Sequence, residues 1–110
     1  MKRGDTINPD SWFTADDFTL SGKTLVISKA KEAEIAPSTM KLVVFFEGES
    51  KGLVLNEVNR KIIEKNTGQT EPENWTGYHI TPYSTEILMR GEVTPCIRIK
   101  QLIGSVAFKA

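Results

Sequence analysis

The sequence predicts a mainly β protein with one helix, folded as a five-stranded OB-like barrel in the order β-β-β-α-β-β. Three observations lead there. The most β-like run, MKLVVFFEG at 40–48, stands between two shorter apolar segments, one opening at Thr24 and one at KGLVLN, 51–56. A single well-marked amphipathic stretch, NEVNRKIIEKNTG at 56–68, follows them. Two more β-like runs, WTGYHITPY at 75–83 and CIRIK at 96–100, come after it. Three strands, a helix and two strands is the chain order of the OB-fold, a small Greek-key barrel whose gap the helix plugs. A split antiparallel α+β sheet is the alternative, because periodicity does not fix topology.

Residues 1–11 mix charge, Gly and Pro without pattern and read as a loose arm, tied down at Trp12-Phe13. Ser21-Gly22 makes a turn before the first strand, which alternates through Leu25 and Ile27 and then becomes polar at KAKEAEI. That drift suits a bent strand with a bulge near Lys29 to Lys31, although the Ala and Glu content also allows a short helix there. After the turn at 36–39, Leu42, Val44 and Phe46 share one face, with Lys41, Val43, Phe45 and Glu47 on the other. Gly48-Glu49-Ser50 closes a hairpin onto KGLVLN, where Leu53 and Leu55 point inward.

Asn56 is the expected N-cap and Gly68 the C-terminal stop, with Val58, Ile62 and Ile63 on the apolar side of the helix between them. Trp75 leads the fourth strand, and Pro82 puts part of that strand at an edge or bulge because proline donates no ladder hydrogen bond. In the last strand Ile97 and Ile99 face in, while Cys96, Arg98 and Lys100 face out. The tail QLIGSVAFKA adds a possible final short strand and carries no acidic cluster.

One domain over 1–110 fits the length. Fourteen basic and fourteen acidic residues give a formal net charge of zero, so attraction to a polyanion has to come from local placement of charge. The lone Cys96 and the absence of an apolar leader or a bilayer-length run predict a cytoplasmic protein with no membrane association.

No phosphate-cradling glycine motif is spelled. His79 and Cys96 are each the single residue of their kind, too few for a zinc site or a nucleophile–base pair. The carboxylates at Asp5, Asp10, Asp16 and Asp17 suit turns and caps better than acid–base chemistry. The expectation is therefore a non-enzymatic protein without a cofactor or metal.

What remains is an outward face. Phe45 and Tyr83 are placed to stack on bases, and Lys29, Lys41, Lys51, Arg90, Arg98 and Lys100 to meet phosphates, with His79 and Lys31 nearby. Aromatics interleaved with cations suit single-stranded nucleic acid, since each base offers a π-face and each nucleotide a phosphate. The same face equally suits a protein partner or a homo-oligomer contact, with the aromatics as anchors.

From KGLVLNEVNRKIIEKNTG through WTGYHITPY to CIRIK, the chain resembles small bacteriophage proteins encoded among replication and recombination genes. Lys51, Gly52, Asn56, Trp75, Gly77, Tyr83 and Arg98 carry that resemblance over roughly residues 40 to 100. It implies a phage origin, a host-cytoplasm setting and a role in DNA transactions, and it supplies no catalytic motif. The combined expectation is a single-stranded DNA-binding accessory protein, with a protein–protein module as the second reading.

Overall fold

The computed structural model describes residues 11–101. Within them the chain runs through β1 (Leu25–Ala36), β2 (Thr39–Phe46), β3 (Gly52–Val54), α1 (Glu57–Thr67), β4 (His79–Ile80), β5 (Pro82–Met89) and β6 (Glu92–Ile99). Every strand pairing is antiparallel. One sheet has the order β3-β2-β1-β4, and β5-β6 forms a second, two-stranded one. Residues 1–10 of the arm expected over 1–11, and 102–110 of the tail strand expected in 101–110, lie outside the described residues.

Inward positions of both sheets and the helix meet in one core of Leu25, Ile27, Val44, Phe46, Leu53, Leu55, Ile63, Trp75, Ile80 and Ile99. These are the alternate residues that a strand with one buried face must make apolar. Phe13 and Phe18 close the core from the N-terminal side, with ring centroids 5.0 Å apart and Phe13 6.1 Å from Phe46. Trp75 is wholly buried, and its indole N–H donates to the Gln69 carbonyl at 2.9 Å.

Helix α1 is bounded as its sequence demands. The Asn56 side chain accepts from the Asn59 N–H at 2.8 Å, and Gly68 ends the helix at φ 73°, which glycine adopts at no steric cost. The buried stripe is Asn59, Ile63, Asn66 and Thr67, so Val58, expected inward, is 48% exposed. A reading that ranks positions by hydrophobicity passes over the two asparagines and rotates the face by one residue.

The expected five-stranded barrel is not what forms. The stretch read as one strand over 75–83 divides into a 3-10 turn at Pro72–Trp75, the two-residue β4, and β5 beginning at Pro82. The 82–89 strand also takes in STEILM, giving six strands among the described residues. The sheets do not close, for two reasons. On β3, the outer edge is taken by the N-terminal segment: Trp12 bridges Gly52, and the Phe13 N–H donates to the Gly52 carbonyl at 2.9 Å. On β6, the Ile97 carbonyl accepts from the Asn59 side chain at 2.9 Å instead of from a strand, while Asn66 donates to the Lys100 carbonyl at 2.8 Å. A divided antiparallel arrangement, the alternative reading, describes this pairing.

Candidate nucleic-acid interface

The site begins with an irregularity in β1. Ile27 pairs with Phe46, but the next pair is Lys29 with Phe45, so Ser28 is an extra residue. Ordinary alternation would send Lys29 to the side of Ile27. The bulge instead keeps Ile27 in the core and turns Lys29 outward beside Phe45. The expected bulge thus exists, one residue earlier than the Lys29–Lys31 stretch.

From there the pairs Lys29–Phe45, Lys31–Val43 and Ala33–Lys41 succeed one another on the side away from the core, although Val43, expected outward, is itself fully buried. The other side of the same two strands carries Ala30 and Val44, then Glu32 with Leu42 and Glu34 with Met40. Lysines and glutamates of KAKEAE are thereby sorted onto opposite faces. A chain of zero net charge presents one locally basic surface.

Phe45 is the half-buried centre of that surface. The Lys29 and Lys31 ammonium groups stand 5.3 and 5.9 Å from its ring centroid, within cation–π range. Beneath the ring is Gly52, paired with Phe45 across β2 and β3. A β-carbon at Gly52 would come within 2.9 Å of the ring and 2.7 Å of Val43, so glycine there lets Phe45 lie over the strand. On the far side of Gly52 is Trp12. Because Phe13 packs into the core and neighbouring side chains of an extended segment alternate, Trp12 falls on the outer side.

The other expected residues do not join this group. Tyr83 pairs with Arg98 on the β5–β6 sheet, and the Lys100 ammonium lies 5.0 Å from the tyrosine ring, so these three form a second basic–aromatic cluster. Arg90 sits in the turn of that hairpin at φ 52°, followed by Gly91 at φ 81°, the paired left-handed conformations of a two-residue hairpin turn. Seven residues along a strand separate it from Tyr83, roughly 20 Å. Lys51 is engaged elsewhere: its ammonium is 3.0 Å from the Asp17 carboxylate.

Asp17 is a structural carboxylate. It accepts from the Thr14 N–H at 2.8 Å and completes a capping box on the turn at Ala15–Asp17. Its pKa is held below the ordinary value by the Thr14 backbone hydrogen bond first and the Lys51 ammonium second, against a smaller upward push from burial. Among the described residues, no group of three or more His, Cys, Asp or Glu side chains gathers in a metal-holding arrangement. His79 pairs with Val26 and Cys96 with Thr85 in their ladders.

Sequence reasoning left Lys31 out of the phosphate-contacting set and treated Trp12 only as an anchor. Parity counted through a bulge at Ser28 would have found Lys31. The Trp12–Gly52 bridge joins residues forty positions apart and leaves no local signal. No protein-family model, curated protein or solved structure matches the chain.

Proposed function

We propose that this protein is a non-enzymatic, OB-like module that binds single-stranded DNA on the outer face of β1 and β2. The observation that carries the reading is Phe45 flanked by Lys29 and Lys31, with Lys41 on the same face and the acidic side chains of β1 on the opposite one. The connectivity agrees with it. Helix α1 lies between β3 and β4, and the chain passes from β4 into a β5–β6 hairpin, which is OB order opened along the β3–β6 seam.

The mechanism is an exchange at one ring. In the free protein the two ammonium groups cover Phe45. A base stacking on the ring displaces them onto the flanking phosphates, so each cation trades a weak contact with a π-face for a charge-assisted one. Tyr83 with Lys100 and Arg98 offers a second stop of the same kind. A DNA-transaction role of the kind implied by the resemblance to phage replication-locus proteins follows from such binding.

The test is an anisotropy titration of fluorescent oligo-dT, with tryptophan emission followed in parallel because Trp12 borders the face. Three free lysines predict a log–log salt slope of about −2 for a single strand. Phe45→Ala should weaken binding by about 1–3 kcal/mol, the usual worth of one stacked base. Replacing Lys29 and Lys31 by Ala should flatten the slope by about 1.4. No response at tens of micromolar protein in low salt sinks the proposal.

A further inference from the structure

The β5–β6 hairpin runs out beyond the core, and its outer edge changes character along its length. The Lys100 N–H donates to the Thr81 carbonyl at 2.9 Å, which fixes the alternation of the ladder. Pro82, Ser84, Glu86 and Leu88 then turn their backbone polar groups away from β6. At Pro82 and Ser84 those groups are used: the Lys23 N–H donates to Pro82 at 3.0 Å, and the Ser84 N–H donates to Thr19 at 2.9 Å. The segment 19–23 is thus a short antiparallel companion to β5. It stops there, because the chain before it bends into the turn at Ala15–Asp17.

At Glu86 and Leu88 the outward backbone groups have no partner among the described residues. The companion's departure opens a groove of about 710 Å³ lined by Asp16, Leu20, Ser84, Thr85, Glu86 and Pro95. Leu88 and Val93 pair beyond Glu86 and Pro95 on the same side of the ribbon and are 73% and 64% exposed, while Leu20 across the groove is 76% exposed. The outer half of β1 also runs out as a strand edge, but it is blunted by Lys29, Lys31, Glu32 and Glu34, the usual protection of an exposed edge. β6 is blunted by Pro95. On the β5 edge, Leu88 and Met89 supply no such protection.

From this combination we infer that the β5 edge at Glu86–Met89 is a docking site for an extended segment of a protein partner, which adds a strand where the chain's own companion leaves off. The backbone groups at Glu86 and Leu88 supply the ladder, as in other β-strand additions. Specificity comes from the groove. On the face shared by Glu86, Leu88 and Val93, the apolar end takes alternate Val, Ile or Leu side chains, and the carboxylates of Asp16 and Glu86 favour Lys or Arg at the next position of the same face. The site stands on a different sheet from Phe45, so it does not depend on the DNA-binding proposal.

The probe is the capped heptapeptide TKTVTVT, titrated into the 15N-labelled full chain, with TETVTVT as the charge control and TKTPTVT as the strand-breaking control. Amide shifts are expected at Leu20 and Thr85–Met89, with both controls weaker by about tenfold. Leu88→Pro removes the edge N–H at a position that makes no β5–β6 ladder bond, so the hairpin should persist by circular dichroism while peptide binding is lost. Oligo-dT binding by that variant should be unchanged. No shift with peptide at about 5 mM, a dissociation constant too weak for recognition, overturns the inference. So do equal binding of TETVTVT, or undiminished binding by Leu88→Pro. Shifts at the same amides that grow with protein concentration alone, with a doubled mass in sedimentation, give the edge to a second copy and overturn the partner segment.

Discussion

Gly52→Ala tests the platform that holds Phe45. The backbone at Gly52 is not in the left-handed region, so alanine is conformationally acceptable and the effect is steric. The added methyl would lie 2.7 Å from Val43 Cγ1 and 2.9 and 3.2 Å from two ring carbons of Phe45. Val43 is completely buried and has nowhere to go; the Phe45 ring is half-exposed and can lift. Overpacking of this kind costs about 1–3 kcal/mol, and replacing a strand glycine returns about 0.5–1 kcal/mol. A net loss of about 0.5–2 kcal/mol is expected, seen as a fall in melting temperature of roughly 2–9 °C. Because two of the three close contacts are to the ring, the penalty should shrink by about 0.5–1.5 kcal/mol in a Phe45→Ala background. Urea unfolding of the four proteins of that cycle measures the coupling. Additivity within about 0.3 kcal/mol would show that the ring does not rest over Gly52.

Three further outcomes are expected. Asn56→Ala removes the bond to the Asn59 N–H and should cost about 1 kcal/mol in urea unfolding, whereas Asn56→Ser should recover most of it. Trp75→Ala empties a wholly buried position and should cost about 3–5 kcal/mol in urea unfolding, a large share of the roughly 5–15 kcal/mol that holds a small domain folded. Since the Asp17 carboxyl is held below its ordinary 3.8, its contribution is present above that pH and is lost as pH falls through the lower folded-state value. Urea midpoints of the natural protein and Asp17→Asn should therefore differ at about pH 6 and converge near pH 2; a constant difference would contradict the assignment.

Short-range chemistry made several features legible in the sequence. Asn56 and Gly68 mark the helix because a cap and a left-handed stop are decided by one residue each. Alternation in KLVVFF assigned Val44 and Phe46 to the core and Phe45 to the outside, and a two-residue period leaves no other choice once one face is buried. Pro82 announced a break in the strand after Trp75. What stayed hidden depends on contacts across the chain. Nothing local in Asn59 or Asn66 tells that their amides will meet carbonyls of β6, nor in Trp12 that it will occupy the edge of β3, and these contacts fill the places a closing strand pair would use. Lys51 reads as a free cation until Asp17, 34 residues earlier in the chain, is brought within 3.0 Å of it.

The basic face owes its existence to one residue. In an unbroken β1, the parity that buries Leu25 and Ile27 would also send Lys29 and Lys31 to the core side, and Ala30, Glu32 and Glu34 outward. Ser28 shifts that parity by one at the point where the core ends. Downstream of it Ala30, small enough to pack under Val44, takes the inward place, and two lysines arrive at the ring of Phe45. A bulge is therefore the device that joins a buried half-strand to a charged half-strand without burying an unpaired ammonium, a burial that costs several kcal/mol per ion. The binding surface and the integrity of the core follow from the same inserted residue, so composition, which places equal numbers of acids and bases in the chain, conceals the polarity that the backbone creates.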